Sequence, residues 1–257
     1  MSIIKNDIPI LEFDSEKTAV IMPTHEKLDI SLPRKAVFAF LGDKIDEYAK
    51  KAGGKKVGAF ISATGEFPVY IIDHRGEEIC LCKAPVGSAA AAQLLDWLIG
   101  YGVRHVLSAG SCGALKDFPE NIFLVPQKAL RDEGTSYHYL PPSRYVQIDE
   151  RAREAIKKGL ESYRIAYRET VTWSTDGFYR ETPDKVKYRV DEGCEVVEME
   201  CSALAAVAKL RGAVWGCILY TADTLAQPEK YAERDWGRNS TDLALKICLD
   251  SVIEIKE

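Results

Sequence analysis

The sequence has no block of basic residues, and its formal net charge is −5 at pH 7. Proteins that bind nucleic acid through the phosphate backbone present clustered lysine and arginine. The sequence therefore predicts no nucleic-acid partner. A local pocket for a small anion is still compatible with this charge.

Long apolar runs are also missing, and none approaches the roughly 20 residues that cross a bilayer. The first residues, M-S-I-I-K-N-D, lack the apolar core of a secretory signal peptide. These two absences predict a cytoplasmic protein with no membrane partner.

Metal-binding and disulfide patterns are absent as well. The seven cysteines include no C-x-x-C pair, and no His/Cys cluster has zinc spacing. An odd number of cysteines without a secretory start is typical of buried thiols in a reducing compartment. We expect no metal site and no cofactor.

What the sequence does contain is an alternation of short apolar runs with amphipathic segments, without a linker or a repeat. This alternation is typical of α/β domains. We expect one domain over residues 1–257, with a central mixed β-sheet flanked by helices. Ligands of such folds bind beyond the carboxyl ends of the strands.

Three local patterns carry specific expectations. Thr18–Met22 has the pattern of a strand, and Ala36–Lys50 has apolar side chains at helical spacing. The G-S-C-G stretch at 110–113 follows the predicted strand Arg104–Ala109 and predicts a turn.

Two polar clusters are candidates for ligand binding. In L-S-A-G-S-C-G-A-L, residues 107–115, Gly110 and Gly113 could expose backbone amides to an anion, with Ser111 adding a hydroxyl. The alternative is a plain tight turn. In V-T-W-S-T-D-G-F-Y-R-E-T, residues 171–182, Phe178 could stack on a planar ligand. The alternative is that Phe178 and Tyr179 fill the core.

Two further clusters carry carboxylates. Glu198 and Glu200 flank Met199 at a strand–helix junction, where a carboxylate can accept two hydrogen bonds from vicinal hydroxyls. A glutamate that only suits the helix dipole is the alternative. Asp223 ends an apolar strand, where a raised pKa would suit a general acid. The alternative is an aspartate that caps a helix near Pro228.

Taken in order, these segments resemble the nucleoside phosphorylase family, which includes purine nucleoside phosphorylases, uridine phosphorylases and methylthioadenosine-type nucleosidases. The matching motifs are G-S-C-G-A at 110–114, D-G-F-Y at 176–179, E-M-E at 198–200 and A-D at 222–223. The resemblance covers residues 56–225.

The resemblance implies a role for each matching position. Ser111 would contact phosphate, Phe178 would stack on the base, and Met199 would pack against the ribose. Gly110 would also belong to the substrate-binding residues. Glu200 would bind the 2′ and 3′ hydroxyls, and Asp223 would protonate the leaving base. Phosphate would be the co-substrate, and the protein would be a homodimer or a trimer of dimers.

The chain departs from the family where phosphate is bound. M-P-T-H-E-K-L at 22–28 stands where G-D-P-x-R is usual, and Ser108 stands where an arginine is usual. The N-terminal histidine that a neighbouring subunit lends to the sugar is not evident. Other cations such as Lys83 or Arg180, or a partner subunit, could bind phosphate, or water could replace it as nucleophile.

The activity expected from the resemblance is phosphorolysis of a purine ribonucleoside to free base and ribose 1-phosphate. Purine is favoured because Asp223 suits protonation of a purine, and because the Q-x-R pair that reads uracil is missing after Tyr179. The alternatives are a uridine phosphorylase, a nucleosidase that uses water, and a binding protein without catalysis.

Overall fold

The computed structural model describes residues 3–256, and ten strands of this part of the chain form one sheet. The strands are β1 Lys35–Ala39, β2 Lys55–Ser62, β3 Gly65–His74, β4 Glu77–Lys83, β5 His105–Ala114, β6 Phe123–Asp132, β7 Tyr145–Gln147, β8 Tyr167–Thr175, β9 Val196–Glu198 and β10 Val214–Thr224.

Six α-helices lie between these strands or follow them. They are α1 Lys44–Lys51, α2 Ser88–Gly100, α3 Glu150–Ser162, α4 Pro183–Asp191, α5 Cys201–Arg211 and α6 Thr241–Val252. Short 3-10 turns include Phe178–Arg180 and Pro228–Lys230. No helix of residues 3–256 is long and apolar enough to cross a membrane.

The sheet is mixed, which confirms the expected α/β architecture. Its order is β10-β6-β8-β9-β5-β1-β4-β3-β2, and β10 also pairs with β5. The strands β5, β9, β8, β6 and β10 therefore close into a ring, and the other strands extend from β5. Parallel pairs such as β5 with β10 occur beside antiparallel pairs such as β5 with β9.

Alternate residues of the buried strands face two separate cores. In β1, Ala36 and Phe38 belong to the core that contains α2 and α5, whereas Val37 and Ala39 belong to the core of α1, α3 and α6. A strand covered by helices on both faces is apolar at every position. This layering places helices on both sides of the sheet and leaves the strand ends for ligands.

The helix expected over Ala36–Lys50 is wrong in its first half. Residues 35–39 form β1, and the helix begins only at Lys44. A continuous apolar run fits a buried strand as well as a helix, so periodicity alone does not separate them. Pairing of β1 with β4 and β5 decides the outcome.

The strand expected over Thr18–Met22 is not formed. These residues make no sheet ladder in the described chain, and the side chain of Val20 is fully exposed. A strand needs a partner for its backbone groups. The chain forms a hairpin at His74–Gly76, where β3 and β4 pair antiparallel on either side of the turn.

Candidate active site

One cavity of about 170 Å³ brings together all of the ligand-binding and catalytic residues expected from the sequence. Residues of β5, β9 and β10, the turn after β8 and the start of α5 line it. The expected residues on its wall are Gly110, Ser111, Phe178, Met199, Glu200 and Asp223. Ligands of α/β folds bind at the ends of the strands, which makes this cavity the candidate site.

The turn expected at 110–113 is wrong, because β5 continues straight through these residues to Ala114. The two glycines are needed for close packing instead. A methyl group at Gly110 would lie 3.3 Å from Cβ of Phe40, and one at Gly113 would lie 3.2 Å from Oδ1 of Asp223. The absent side chains therefore leave room for Phe40 beside Gly110 and for Leu225, Val197 and Asp223 beside Gly113.

The two serines of this strand lie in different surroundings. Ser111 is exposed on the cavity wall. Ser108 is fully buried, and its hydroxyl accepts a 3.0 Å hydrogen bond from Nε1 of Trp215. The position where the family usually has an arginine is thus part of the core and offers no charge to the cavity.

Phe178 lies on the 3-10 turn after β8, with 42% of its surface exposed. Its ring packs edge to face against Tyr179, 5.1 Å between centroids, and Tyr179 is also exposed. The alternative that both rings fill the core is therefore wrong. Phe178 has a free face on the cavity, which suits stacking on a planar group.

The segment Met199–Glu200 is held by the start of α2. The backbone N–H of Gly87 donates to Oε1 of Glu200 at 2.5 Å, and the hydroxyl of Ser88 donates to the carbonyl of Met199 at 2.5 Å. Gly87 has φ 99°, a conformation that favours glycine. Burial and the charge of Glu198 raise the pKa of Glu200 to about 8.

Glu198 has a different, structural environment although it is only two residues away. Its carboxylate accepts hydrogen bonds from the hydroxyls of Thr172 and Ser174 and from the backbone N–H groups of Glu200 and Cys201. These donors belong to β8 and to the first turn of α5. All of the strong acceptor directions of Glu198 are therefore used inside the protein, whereas Glu200 has capacity left for a ligand.

Asp223 lies within β10 and is only 5% exposed, so it does not cap a helix near Pro228. Burial raises its pKa, while a hydrogen bond from Tyr231 and the charge of Arg234 act in the opposite direction. A buried carboxyl with a raised pKa can keep a proton and donate it to a ligand.

The cavity wall is acidic. Within residues 3–256, its lining includes Glu181, Glu198, Glu200 and Asp223 but no lysine, arginine or histidine. Lys83, a candidate for binding phosphate, instead forms ion pairs with Asp43 at 3.0 Å and Asp46 at 3.3 Å. Arg180 is exposed and does not line the cavity.

Several residues of the site were missed in the sequence. Phe40 fell within the helix expected over Ala36–Lys50, so it was not considered as a site residue. Glu181 was not singled out within the D-G-F-Y-R-E-T stretch. In the loop after β10, Trp236 lines the cavity and Tyr231 and Arg234 act on Asp223, and no sequence pattern gave a signal for these three residues. Contacts between distant segments bring these residues to the cavity.

The described part of the chain contains no group of three or more His, Cys, Asp or Glu side chains arranged to hold a metal ion. The groups that line the cavity include carboxyl groups, the hydroxyl of Ser111 and the aromatic ring of Phe178.

Comparison with known proteins gives relatives of similar length. The chain is 25% identical over 199 residues to the guanosine phosphorylase of Halorubrum lacusprofundi, covering 75% of this chain and 83% of the relative. It is 24% identical over 189 residues to a DeoD-type purine nucleoside phosphorylase of Bacillus cereus, covering 70% and 78% respectively.

Solved structures share the fold. Uridine phosphorylase from Vibrio fischeri superposes with a TM-score of 0.75 at 24% identity, covering 88% of this chain and 93% of that one. AMP nucleosidase from Bacteroides thetaiotaomicron gives 0.71 at 21% identity, covering 88% and 90%. The family model of the phosphorylase superfamily matches residues 34–254, so this chain belongs to the phosphorylase superfamily.

Proposed function

We propose that this protein is a nucleoside phosphorylase, a pentosyltransferase that converts a purine ribonucleoside and phosphate into free base and ribose 1-phosphate. The observation that carries the proposal is the single cavity with Phe178, Met199, Glu200 and Asp223 on its wall. The aromatic face can stack on the base, and the carboxylate with free acceptor capacity can bind the ribose hydroxyls. The buried acid can protonate the leaving group.

The nucleoside binds with its base against Phe178 and its ribose against Met199. Glu200 accepts hydrogen bonds from the 2′ and 3′ hydroxyls, which positions the sugar for reaction. The hydrogen bond from Gly87 holds one oxygen of Glu200 in place. Since Glu198 is saturated by its own donors, Glu200 is the one of the two that serves the ligand.

In the reaction, the bond between C1′ of the ribose and the base breaks, and its electron pair leaves with the base. Asp223 transfers its proton to N7 of the purine, which makes the base a better leaving group. Positive charge develops on the ribose. A phosphate oxygen then forms the new bond to C1′, and its negative charge stabilises the cationic transition state.

Phosphate lies beside Gly110 and Ser111 in this proposal. It binds weakly, because no cation among the described lining residues faces it and a lost charged contact commonly costs about 1.5–3 kcal/mol. A basic residue of a partner subunit is the remaining source of charge.

The acidic wall also favours a second candidate function, a nucleosidase in which water replaces phosphate. Four carboxyl groups line the cavity without a cation among its described lining residues, and a neutral nucleophile enters such a cavity more easily than an anion. The fold shared with an AMP nucleosidase is compatible with this candidate.

A purine base fits the position of Asp223 better than a pyrimidine base does. A purine carries an acceptor, N7, beside the bond that breaks, whereas a pyrimidine has no equivalent atom for the acid. The relatives named as guanosine and purine nucleoside phosphorylases support this preference, and uridine is the second substrate to test.

The decisive experiment measures release of free base from inosine, guanosine, adenosine, uridine and AMP, with phosphate varied from zero to saturation. We expect release from purine nucleosides that accelerates with phosphate and yields ribose 1-phosphate. Release of ribose at a rate independent of phosphate would identify the nucleosidase. Affinity without release of base would identify a binding protein.

We also propose a compartment, an assembly and a set of ligands for the enzyme. The protein works in the cytoplasm as a homodimer or a trimer of dimers, with nucleoside and phosphate as its ligands, with no cofactor, and with no nucleic-acid or membrane partner. Seven free cysteines, all buried, suit a reducing compartment. The net charge of −5 argues against binding to nucleic acid.

A further inference from the structure

Glu181 lines the cavity, but the mechanism above gives it no role. It directly follows the 3-10 turn Phe178–Arg180 and precedes Thr182, the N-cap of α4. The backbone N–H of Thr182 donates to the carbonyl of Arg180 at 2.9 Å, and the hydroxyl of Thr182 accepts the N–H of Lys185 at 3.4 Å. Glu181 is therefore held between two structured segments, three residues after the ring proposed to stack on the base.

The carboxyl group of Glu181 makes no hydrogen bond and no ion pair with any of residues 3–256. Its side chain is nevertheless partly buried. Lys185, four residues further along the chain, is held by Asp132 at 2.8 Å, and Arg180 is exposed and does not line the cavity. A polar group that is partly buried without a partner is costly, so the acceptor sites of Glu181 are left for a ligand.

The part of a nucleoside that meets Glu181 follows from its neighbours on the cavity wall. A base stacked on Phe178 presents the polar atoms of its edge to the surrounding side chains. In the proposed reaction, Asp223 takes the N7 side of a purine. The N1 atom and the 2-position lie beyond the 6-position from N7, so a second acid on the same small cavity can face this other edge.

The purine bases differ at this edge. Guanine has two adjacent donors, the N1–H and the 2-amino group, and a carboxylate can accept both in parallel. Hypoxanthine keeps only the N1–H, and adenine places an acceptor, N1, beside its 6-amino donor. Burial and the charge of Asp223 raise the pKa of Glu181 to about 7, and donors placed against the group favour its ionised form.

We propose that Glu181 is a base-binding residue that accepts hydrogen bonds from the N1–H and the 2-amino group of guanine, which makes guanosine the preferred nucleoside. The inference rests on the proposed function, because it takes the base to lie on Phe178 with N7 towards Asp223. Inosine, with one donor for Glu181, is the second substrate, and adenosine is the poorest of the three.

The first test measures kcat/KM for guanosine, inosine and adenosine in the wild type and in Glu181→Gln. In the wild type, guanosine should exceed adenosine by roughly ten- to hundredfold, the usual effect of one hydrogen bond to a charged group. A carboxamide has one acceptor and one donor, which match the 6-amino group and N1 of adenine. Glu181→Gln should therefore favour adenosine over guanosine. An unchanged ratio between the two substrates would overturn the role of Glu181.

Asp184→Asn provides a matched control, because Asp184 is an exposed carboxylate only three residues further along the chain and does not line the cavity. It should keep the wild-type ratio of guanosine to adenosine. A reversed preference in Asp184→Asn as well would mean that any lost negative charge near this turn has the same effect, and direct contact between Glu181 and the base would be wrong.

A second readout does not depend on turnover. In 9-deazaguanosine and 9-deazaadenosine, a carbon atom replaces N9, so the bond to the ribose is not cleaved, whereas the N1 edge is unchanged. Calorimetric titration at pH 8 should give tighter binding of 9-deazaguanosine in the wild type and tighter binding of 9-deazaadenosine in Glu181→Gln.

The two readouts separate failure of this inference from failure of the proposed function. If no nucleoside is cleaved but the two analogues bind with the expected preference and its reversal, the role of Glu181 stands and the proposed reaction fails. If base is released but Glu181→Gln changes neither preference, the reaction stands and the role of Glu181 is wrong. If neither analogue binds, the base site is wrong and both proposals fail.

Discussion

At the scale of single residues, the surroundings of Asp223 affect how readily its carboxyl group holds a proton. Asp223 lies in β10, and Gly113 lies on the neighbouring strand β5. A methyl group added to Gly113 would be 3.2 Å from Oδ1 of Asp223. Burial then raises its pKa. A buried position in the strand therefore favours a carboxyl group that keeps its proton, which is what the proposed role of Asp223 requires.

Replacing Asp223 by asparagine keeps the shape of the side chain but removes the proton that it can donate. We expect kcat for purine nucleosides to fall by roughly 10²–10⁴-fold, the usual contribution of a general acid. Initial rates of base release measure this. A nucleoside whose base leaves readily without protonation is the internal control, since its rate should fall much less. Full activity of Asp223→Asn on inosine would exclude the proposed role.

The raised pKa of Glu200 predicts that the affinity for nucleoside depends on pH. Its pKa of about 8 means that the free protein holds it protonated at neutral pH. Two ribose hydroxyls donate better to the carboxylate, so binding releases a proton, and affinity should fall as pH decreases below about 8. Calorimetric titration of a purine nucleoside into Asp223→Asn, in which turnover is expected to be strongly reduced, measures this dependence in the absence of phosphate.

The sugar itself supplies the control for this prediction. A 2′,3′-dideoxynucleoside has no vicinal hydroxyls, so its affinity should vary little between pH 6 and pH 9. The same flat profile is expected for the full nucleoside with the double variant Asp223→Asn, Glu200→Gln. An equal pH dependence for both ligands would show that Glu200 does not bind the hydroxyls.

At the scale of elements, Glu198 joins two strands to a helix. It ends β9, accepts hydroxyl hydrogen bonds from Thr172 and Ser174 in β8, and accepts N–H groups of Glu200 and Cys201 at the start of α5. The acceptor therefore satisfies N–H groups that a helix start leaves without partners. The position of the neighbouring Glu200 depends on this junction.

Glu198→Ala should consequently act on stability. The change leaves buried donors without an acceptor, and we expect the free energy of unfolding to fall by about 3 kcal/mol. Urea unfolding at pH 7 measures it. Glu154→Ala removes a half-exposed glutamate that pairs with Lys157 on α3 and should stay within about 0.5 kcal/mol of the wild type. Similar losses in both variants would contradict the structural role of Glu198.

A second junction ties α6 to the hairpin of β3 and β4. The buried carboxylate of Asp250 contacts Nε2 of His74 at 2.7 Å and Nη2 of Arg75 at 2.8 Å, and it accepts from the hydroxyl of Tyr163. Burial raises the pKa of Asp250, but these hydrogen bonds and the arginine charge outweigh it, so the net shift is downward from 3.8.

A lowered pKa gives Asp250 a stabilising effect that is present above pH 3.8 and is lost as pH falls through its pKa in the folded protein. Asp250→Asn should lower the free energy of unfolding at pH 7 by about 1–3 kcal/mol, and this difference should shrink towards pH 3. Urea titrations of both proteins at several pH values test the trend. A difference that grows on acidification would contradict it.

At the scale of the whole molecule, the mouth of the cavity is surrounded by exposed apolar side chains. Val86, Phe178 and Trp236 line the cavity while remaining exposed, and Tyr179 and Tyr231 are exposed nearby in sequence. Exposed apolar patches of this kind mark interaction surfaces. They fit the proposed homo-oligomer, in which a second copy would cover the mouth.

Light scattering at micromolar concentration should therefore give at least twice the mass of one chain. Val86→Asp places a charge on this surface outside the groups assigned to the reaction and should shift the assembly towards smaller species, because burying an unpaired charge is unfavourable. A wild-type protein that is monomeric at this concentration would contradict the prediction.

Much of the molecule follows from local sequence. The run S-A-A-A-A-Q-L-L-D-W-L suits the helix Ser88–Gly100, and the apolar run I-C-L-C suits the strand Glu77–Lys83. The carboxyl groups, the exposed phenylalanine and the glycines of the site were also visible as types of residue in four short motifs. Spacing along the chain was sufficient for these because each depends on neighbours within a few residues.

Other features depended on contacts between distant segments, and only the tertiary structure decided them. The stretch 110–113 belongs to a strand because the second half of β5 pairs with β10 and β9. Glu198 became structural and Glu200 available because different donors reach each carboxylate. Glu181 and Asp223, from the loop after β8 and from β10, line the same cavity although they are far apart in the sequence. Local sequence patterns identify the side chains that can take part in a reaction. The protonation and the hydrogen-bond partners of these side chains depend on which distant segments bury them.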